Sequence, residues 1–318
     1  MHVHLAALPE GNNGCYISPK MMRSPLFRFF AWRWKLDLHR PAIANSAYIG
    51  RLLTELDRSK KVKRAVLLGM DGVYDEAGSL DLTRTDFLVS NRYVFEVVKR
   101  YPDYFLAGVS INPKRRDALE ELERCAAQGA ALVKVLPNSQ RFDPSERRYI
   151  PFYRALAQRR IPLLSHVGYE FSLMGQDQTA GDPKRLRVAL DEGVCVIAAH
   201  ACSYGLVFPE PYFKVFTQLA RKYPNFYADT SALTLPNRVR TLFFLRKHPE
   251  LHDCLIFGTD YPLPVFSYPA LCRGYGRAPG ASSSFDRQAL VLKALGIRCR
   301  DLSSLTKMCQ EAVKVPEQ

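Results

Sequence analysis

No run of apolar residues in this 318-residue chain reaches the roughly 18 needed to cross a bilayer, which excludes an integral helical membrane protein. The first ten residues carry neither a basic n-region nor a sustained apolar stretch, so no secretory signal is expected. There is no Cys-x-x-Cys pair. The eight cysteines are scattered, and several sit inside apolar segments, such as Cys195 in Val194-Cys195-Val196-Ile197 and Cys254 before Leu255-Ile256. That distribution argues against a disulfide framework and for reduced thiols in a cytoplasmic protein, with buried cysteines acting as small hydrophobes. No glycine-rich phosphate loop follows an early apolar run, which disfavours a doubly wound nucleotide-binding sheet. Acidic residues are in the minority, 31 against 45 Lys and Arg, for a net charge of +14. The excess is spread along the chain, with its densest piece at Lys60-Lys61-Val62-Lys63-Arg64. It reads as a basic surface and an attraction for anionic small molecules, with neither nucleic acid nor a membrane expected as partner.

What is present is an alternation. Short apolar runs of strand length recur from residue 62 onward: Ala65–Leu68, Phe105–Ile111, Ala131–Leu136, Ile161–Ser165, Val194–Ala199, Phe226–Ala228 and Leu255–Gly258. They are continuously apolar rather than alternating, as in strands buried on both faces of a parallel sheet. Helical spacing fills the gaps, for example at Asp117–Ala126, Pro151–Ala157, Phe213–Arg221 and Arg287–Leu295. Strand, loop and helix repeated about seven times means an α/β fold. The polar residues that could do chemistry fall at the C-terminal ends of different strands, which predicts a (β/α)8 TIM barrel over residues 1–318 as one domain. The first strand should be truncated or missing, because only Met1 precedes the first polar strand-end residues. Such a gap would leave two sheet edges open. Residues 9–45 stand outside the repeat as a lid or insertion and carry Leu26-Phe27-Arg28-Phe29-Phe30-Ala31-Trp32-Arg33-Trp34. This patch reads as a helix covering the barrel mouth or, less readily, as a membrane-surface helix or a stacking surface. Residues 263–284, rich in Pro, Gly and Ser, should form a long loop after the last strand.

Histidine is scarce, at seven residues, and its placement is informative. His2 and His4 are spaced so that both imidazoles of an extended segment point the same way. His166 ends the strand Ile161–Ser165, His200 ends Val194–Ala199, and Asp260 follows Leu255–Gly258. In a barrel all five meet at one mouth, and imidazoles with one carboxylate suit Zn²⁺ or a similar divalent ion. Asp71, Asn112, Asn138, Gln140, Glu170 and Asp229 also sit near strand ends, where each either lines a pocket or caps a helix.

These residues carry a resemblance. Met1-His2-Val3-His4-Leu5, Val133-Lys134-Val135-Leu136-Pro137, Leu164-Ser165-His166-Val167-Gly168, Ala198-Ala199-His200-Ala201 and Phe257-Gly258-Thr259-Asp260-Tyr261-Pro262 resemble the motifs of the amidohydrolase-related (amidohydrolase 2 type) metal-dependent hydrolases. The branch in question includes aminocarboxymuconate-semialdehyde decarboxylase. The resemblance covers nearly the whole chain, and the order His-x-His, His, His, Asp is its specific part. It implies a TIM barrel with metal ligands His2, His4, His166 and Asp260, and with Asp260 and His200 as the catalytic pair. Asp260 would act as base and His200 would orient water or polarise the substrate. The expected cofactor is one Zn²⁺. The expected reaction is hydrolysis of an amide, ester or lactone-type bond in a small anionic substrate. Decarboxylation on the same scaffold and a non-catalytic paralogue are the alternatives. Lys134, Asn138 and Glu170 are the candidates for substrate contact, Lys134 occupying a place where some relatives carry a carboxylated lysine bridging two metals. A homodimer is the expected assembly, if any.

Overall fold

The computed structural model describes residues 2–171, 173, 177–271, 274 and 280–301. Eight parallel strands form one sheet: β1 (His2–His4), β2 (Ala65–Leu68), β3 (Phe105–Ser110), β4 (Leu132–Val135), β5 (Leu163–Ser165), β6 (Val196–Ala198), β7 (Phe226–Asp229) and β8 (Leu255–Ile256). Each strand pairs with the next in chain order. The sheet also joins at its ends: the Asp260 amide donates to the His2 carbonyl at 2.9 Å, and the His4 amide donates to the Tyr261 carbonyl at 2.7 Å. A (β/α)8 barrel results. Its first strand is short, as the sequence predicts, but it is present, and the two open edges expected of a missing strand do not arise. Three residues suffice because β1 is bonded on both sides, to β2 through the register His2 with Val66 and His4 with Leu68, and to the segment after β8.

The apolar strands are explained by what lies on each face. Outward residues such as Val109, Val133, Leu163, Val196, Phe226 and Leu255 pack against the surrounding helices in one buried cluster with Leu122, Phe152, Leu156, Phe216 and Leu219. The helices supply these residues at three- and four-residue spacing, as Val215, Phe216 and Leu219 do in Tyr212–Lys222. Each fully buried side chain of this kind contributes about 1.5–3 kcal/mol relative to exposure. Inward residues Val66, Leu68, Leu132, Leu164, Ile197, Tyr227 and Ile256 fill the barrel. Successive side chains of a strand alternate between faces. The positions two residues beyond Leu132, Leu164 and Tyr227 therefore also point inward, and they are Lys134, His166 and Asp229. The barrel core turns polar at its C-terminal end for this reason.

The segment 9–45 is built from several short pieces. A two-stranded antiparallel ribbon pairs Tyr16–Ile17 with Phe87–Leu88. Helices cover Pro19–Met22 and Pro25–Arg33, each started by a serine whose hydroxyl accepts from a first-turn amide and by a proline at the first helical position. Its last residues, from Pro41, already belong to the 18-residue helix Pro41–Arg58 that packs on the barrel. In the region 263–284, Tyr268–Leu271 is a helical turn, and the last helix among the described residues begins at Ser284, capped by Ser283, three residues ahead of the predicted Arg287. Residues 272, 273 and 275–279 of the predicted loop lie outside the described residues. Among the described residues no helix is long and apolar enough to cross a membrane.

Candidate metal centre

The C-terminal end of the barrel gathers residues from six strands. His2 and His4 project from β1 into the interior. Their Nε2 atoms are 3.2 Å apart, and Asp260 Oδ1 lies 3.3 Å from the first and 3.2 Å from the second. Three donors thus converge, and each pair is separated by nearly the same distance. Ligands about 2.0–2.1 Å from a tetrahedral ion stand about 3.3–3.4 Å from one another, so this donor set fits a small divalent cation. The chemistry fits as well, because burial, opposed by the neighbouring carboxylates, pulls the pKa of His2 down to about 4. A neutral imidazole with a free lone pair is the form that ligates a metal.

Asp229, from the end of β7, fixes which nitrogen of His2 is free. Its Oδ2 is 2.7 Å from His2 Nδ1, so that nitrogen carries the proton and Nε2 is left as the donor to an ion. The other oxygen, Oδ1, accepts from the His200 amide at 2.9 Å, from the Ser231 amide at 3.0 Å and from the Ser231 hydroxyl. Burial disfavours the Asp229 carboxylate, but His2 and these donors outweigh it and hold the group ionised, below its ordinary range. Asp260 behaves alike. Burial opposes its charge, and His2, His4 and His200 keep its carboxyl well below the usual range.

His200 and His166 form the adjoining wall. His200 Nδ1 lies 3.1 Å from the Ser231 carbonyl, which can only accept, so Nδ1 is the protonated nitrogen. His200 Nε2 is then the acceptor for His166 Nδ1, 3.3 Å away. The consequence is that His166 Nε2 presents a lone pair, and this atom is buried with no hydrogen-bond partner. Burial holds both imidazoles well below their ordinary pKa and therefore neutral. His166 lies outside the set formed by His2, His4 and Asp260, whose donor atoms all fall within 4.8 Å of one another. It stands beside that set with one orphaned nitrogen.

Backbone strain concentrates here. His200, Ala201 and Cys202 after β6, Ala232 after β7 and Asp260 after β8 all have positive φ, between 46° and 66°. Non-glycine residues in the left-handed region cost roughly 1 kcal/mol or more each, and they persist where surrounding structure over-determines them. Glu210 supplies some of that support, accepting from the Ser203 hydroxyl, the Tyr204 amide and the Thr241 hydroxyl.

Above this floor is a cavity of about 310 Å³. His4, His166, His200 and Asp260 form part of its wall, with Glu170 and Arg238. The remainder is mostly apolar and includes Phe27, Phe30, Trp34 and Leu36 from the N-terminal segment together with Leu136, Leu235 and Leu263. Trp34 stacks on Tyr261, the residue after Asp260, with ring planes 11° apart.

The substrate-contact candidates are dispersed. Glu170 is in the wall, with Oε2 3.7 Å from His166 Nδ1. Lys134 points into the barrel below the cavity. It is fully buried, its Nζ has no hydrogen-bond partner, and desolvation lowers its pKa to about 8. Asn138 is not in the wall. It is the second residue of a short helical turn, Pro137–Gln140, and its amide donates to the Gly168 carbonyl at 3.1 Å and to Gln178 Oε1 at 3.0 Å. Its role is to tie the loop after β5 to that turn. Arg238 goes unnoticed in the sequence. Its buried guanidinium donates to the carbonyls of Ser203 at 3.1 Å and Tyr169 at 2.8 Å, clamping two wall loops beside Glu170.

A protein-family model described as Amidohydrolase matches residues 57–282. Among solved structures the chain is similar to an uncharacterised TIM-barrel protein from Bordetella bronchiseptica, with 18% identity, 90% of this chain and 85% of that one covered, and a TM-score of 0.57. It is similar to a probable 2-pyrone-4,6-dicarboxylic acid hydrolase from Acinetobacter baumannii, with 12% identity, 97% and 93% covered, and a TM-score of 0.54. It is similar also to a 2,6-dihydroxybenzoate decarboxylase solved with 2,6-dihydroxybenzoate, with 16% identity, 92% and 97% covered, and a TM-score of 0.54. At these identities the likeness is one of fold. No curated protein sequence matches.

Proposed function

The chain belongs to the amidohydrolase family, and from that premise we propose that it is a metal-dependent hydrolase cleaving an amide, ester or lactone-type bond of a small substrate that carries a negative charge. The observation that carries this reading is the convergence of His2 Nε2, His4 Nε2 and Asp260 Oδ1 at 3.2–3.3 Å. His2, His4 and Asp260 would hold one ion, with His166 Nε2 offering a further lone pair. Two or three imidazoles and a carboxylate favour zinc. A divalent ion in that place supplies Lewis acidity and makes water acidic enough to ionise near neutral pH.

The side chains do the rest. Asp260 turns its second oxygen, Oδ2, away from His2 and His4 and towards His200, whose Nδ1 is 3.9 Å away. That oxygen takes the proton of the attacking water and returns it to the leaving group. His200, neutral and fixed by Ser231, holds its orientation at the wall without giving up a proton of its own. Lys134 below the floor and Arg238 in the wall provide the positive field that an anionic substrate needs, and Glu170 sets a limit on where that anion lies. The apolar wall excludes water from the rest of the substrate.

That wall also favours a second reading on the same residues. A carboxylate moved into an apolar cavity loses its hydration, which promotes loss of CO₂, and Asp260, ionised at rest, would take one proton from solvent and pass it to the carbon that CO₂ leaves.

The test begins with metal analysis of protein purified without added metal. One ion per chain is expected, and Asp260→Asn should lose the ion and lower turnover by about a thousandfold or more while retaining the far-UV spectrum. An Asp260→Asn protein as active as the parent would defeat both readings. Product analysis divides them: uptake of one water without gas supports hydrolysis, and CO₂ without water uptake supports decarboxylation.

A further inference from the structure

We propose that the helix Pro25–Arg33 docks on an anionic lipid bilayer, lying in the headgroup region with its outer face down. The inner face of this helix is accounted for, since Leu26, Phe27, Phe30 and Ala31 line the cavity. The outer face is not. Phe29 is 53% exposed and Trp32 is 73% exposed, and their rings touch each other with centroids 6.1 Å apart. At about 100° per residue these two project side by side, away from the cavity, and Arg28 and Arg33 flank them at about 40° to either side. Aromatic rings in the centre of a face with long cationic side chains at its margins is the arrangement of an interfacial helix, in which the rings enter the acyl boundary and the cations reach phosphates.

Charge identifies the occupant. From Gly11 to Leu36 there are five cations, Lys20, Arg23, Arg28, Arg33 and Lys35, and no Asp or Glu. All five are exposed, and none enters an ion pair among the described residues. A second copy of this chain on a two-fold axis would set these five cations against the same five, which opposes self-association through this face. A surface of anionic headgroups complements them, and each cation near such a surface strengthens binding about fivefold. The helix is about one helix diameter thick, so docking holds the cavity within about 10 Å of lipid. The proposal concerns where the molecule sits and is independent of the reaction in the cavity.

The test is co-sedimentation of the full chain with phosphatidylcholine vesicles that contain phosphatidylserine, against vesicles of phosphatidylcholine alone. Binding is expected only to the first and should weaken as salt is raised. The double change Phe29→Ser with Trp32→Ser should lower affinity at least tenfold, and Arg28→Gln with Arg33→Gln by about 25-fold, both with an unchanged far-UV spectrum because all four side chains are exposed. Tryptophan emission should shift to the blue on binding. Trp32→Phe should still bind but lose most of that shift. Failure to bind the anionic vesicles, equal binding to both kinds, or binding unaffected by Phe29→Ser with Trp32→Ser would overturn the proposal. It would fall equally if that double change abolished a dimer seen by sedimentation equilibrium, or abolished binding to single-stranded nucleic acid, with no vesicle binding in the parent.

Discussion

The floor and the roof of the cavity are built on opposite principles. The floor takes one or two residues each from strands far apart in the chain: His2 and His4 from β1, Asp229 from the end of β7, and His166, His200 and Asp260 from just beyond β5, β6 and β8. The roof takes many residues from one stretch, Phe27, Phe30, Trp34 and Leu36. In the floor every polar contact is fixed by several others, and strained backbone is tolerated because hydrogen bonds such as those to Asp229 hold it. In the roof the contacts are apolar and additive, and Trp34 on Tyr261 is a principal direct link between the two. Under the proposed function, floor residues would set metal retention and chemistry together, whereas roof residues would set substrate fit without touching the ion.

The sharpest way to separate the two is Asp229→Asn. An amide cannot accept from His2, from His200 and from Ser231 all at once. If its nitrogen faces His2 Nδ1, the His2 proton is driven to Nε2 and the ligand is lost. A tenfold to hundredfold loss of metal affinity is expected, measured by competition with a chromogenic chelator. Metal retention equal to the parent would show that Asp229 is merely structural and that the floor is less interlocked than its hydrogen bonds indicate.

Phe30→Ala probes the other side. Removing a ring from the roof should raise KM about tenfold, in line with the apolar area lost, with metal content at the parental level and kcat within a few-fold. Loss of the ion in this variant would break the distinction, since it would mean that the roof holds the floor in place.

The floor was legible in the sequence to the extent that strand periodicity reaches it. Strand ends could be read from apolar runs, and His166, His200 and Asp260 follow those runs directly. Asp229 follows Phe226-Tyr227-Ala228 in the same manner, so its inward direction was also readable. What the sequence does not contain is the contact with His2, 227 positions away in the chain, and without it Asp229 was one strand-end carboxylate among several. Arg238 lies nine residues after β7, with no periodicity to place it, and its guanidinium reaches back to loop carbonyls that only the closed barrel brings near. Asn138 is the converse case: proximity to a strand end says nothing of whether a side chain turns sideways into a hydrogen-bonded corner, as this one does. In the N-terminal stretch the aromatic and basic pattern was plain, but which half of it would face inward depended on where the barrel mouth would be.

Lys134 tests the electrostatic cost of the floor, with a smaller effect. Its ammonium is buried without a hydrogen bond, and desolvation takes its pKa from 10.5 to about 8. The folded value is below the unfolded one. Between pH 8 and pH 10.5 the unfolded chain therefore holds more protons at this position, and this group makes the fold more stable as pH rises through that window. At pH 7 the buried charge is destabilising in full, so Lys134→Met should be the more stable protein there. Its advantage should shrink by about 1 kcal/mol per pH unit above pH 8. Urea unfolding of the two proteins at pH 7, 8 and 9 measures the gap, and titration of other groups cancels in the difference. A gap that stays constant would mean that Lys134 is charged and compensated throughout, in which case the positive field under the cavity persists at every pH at which the protein is folded.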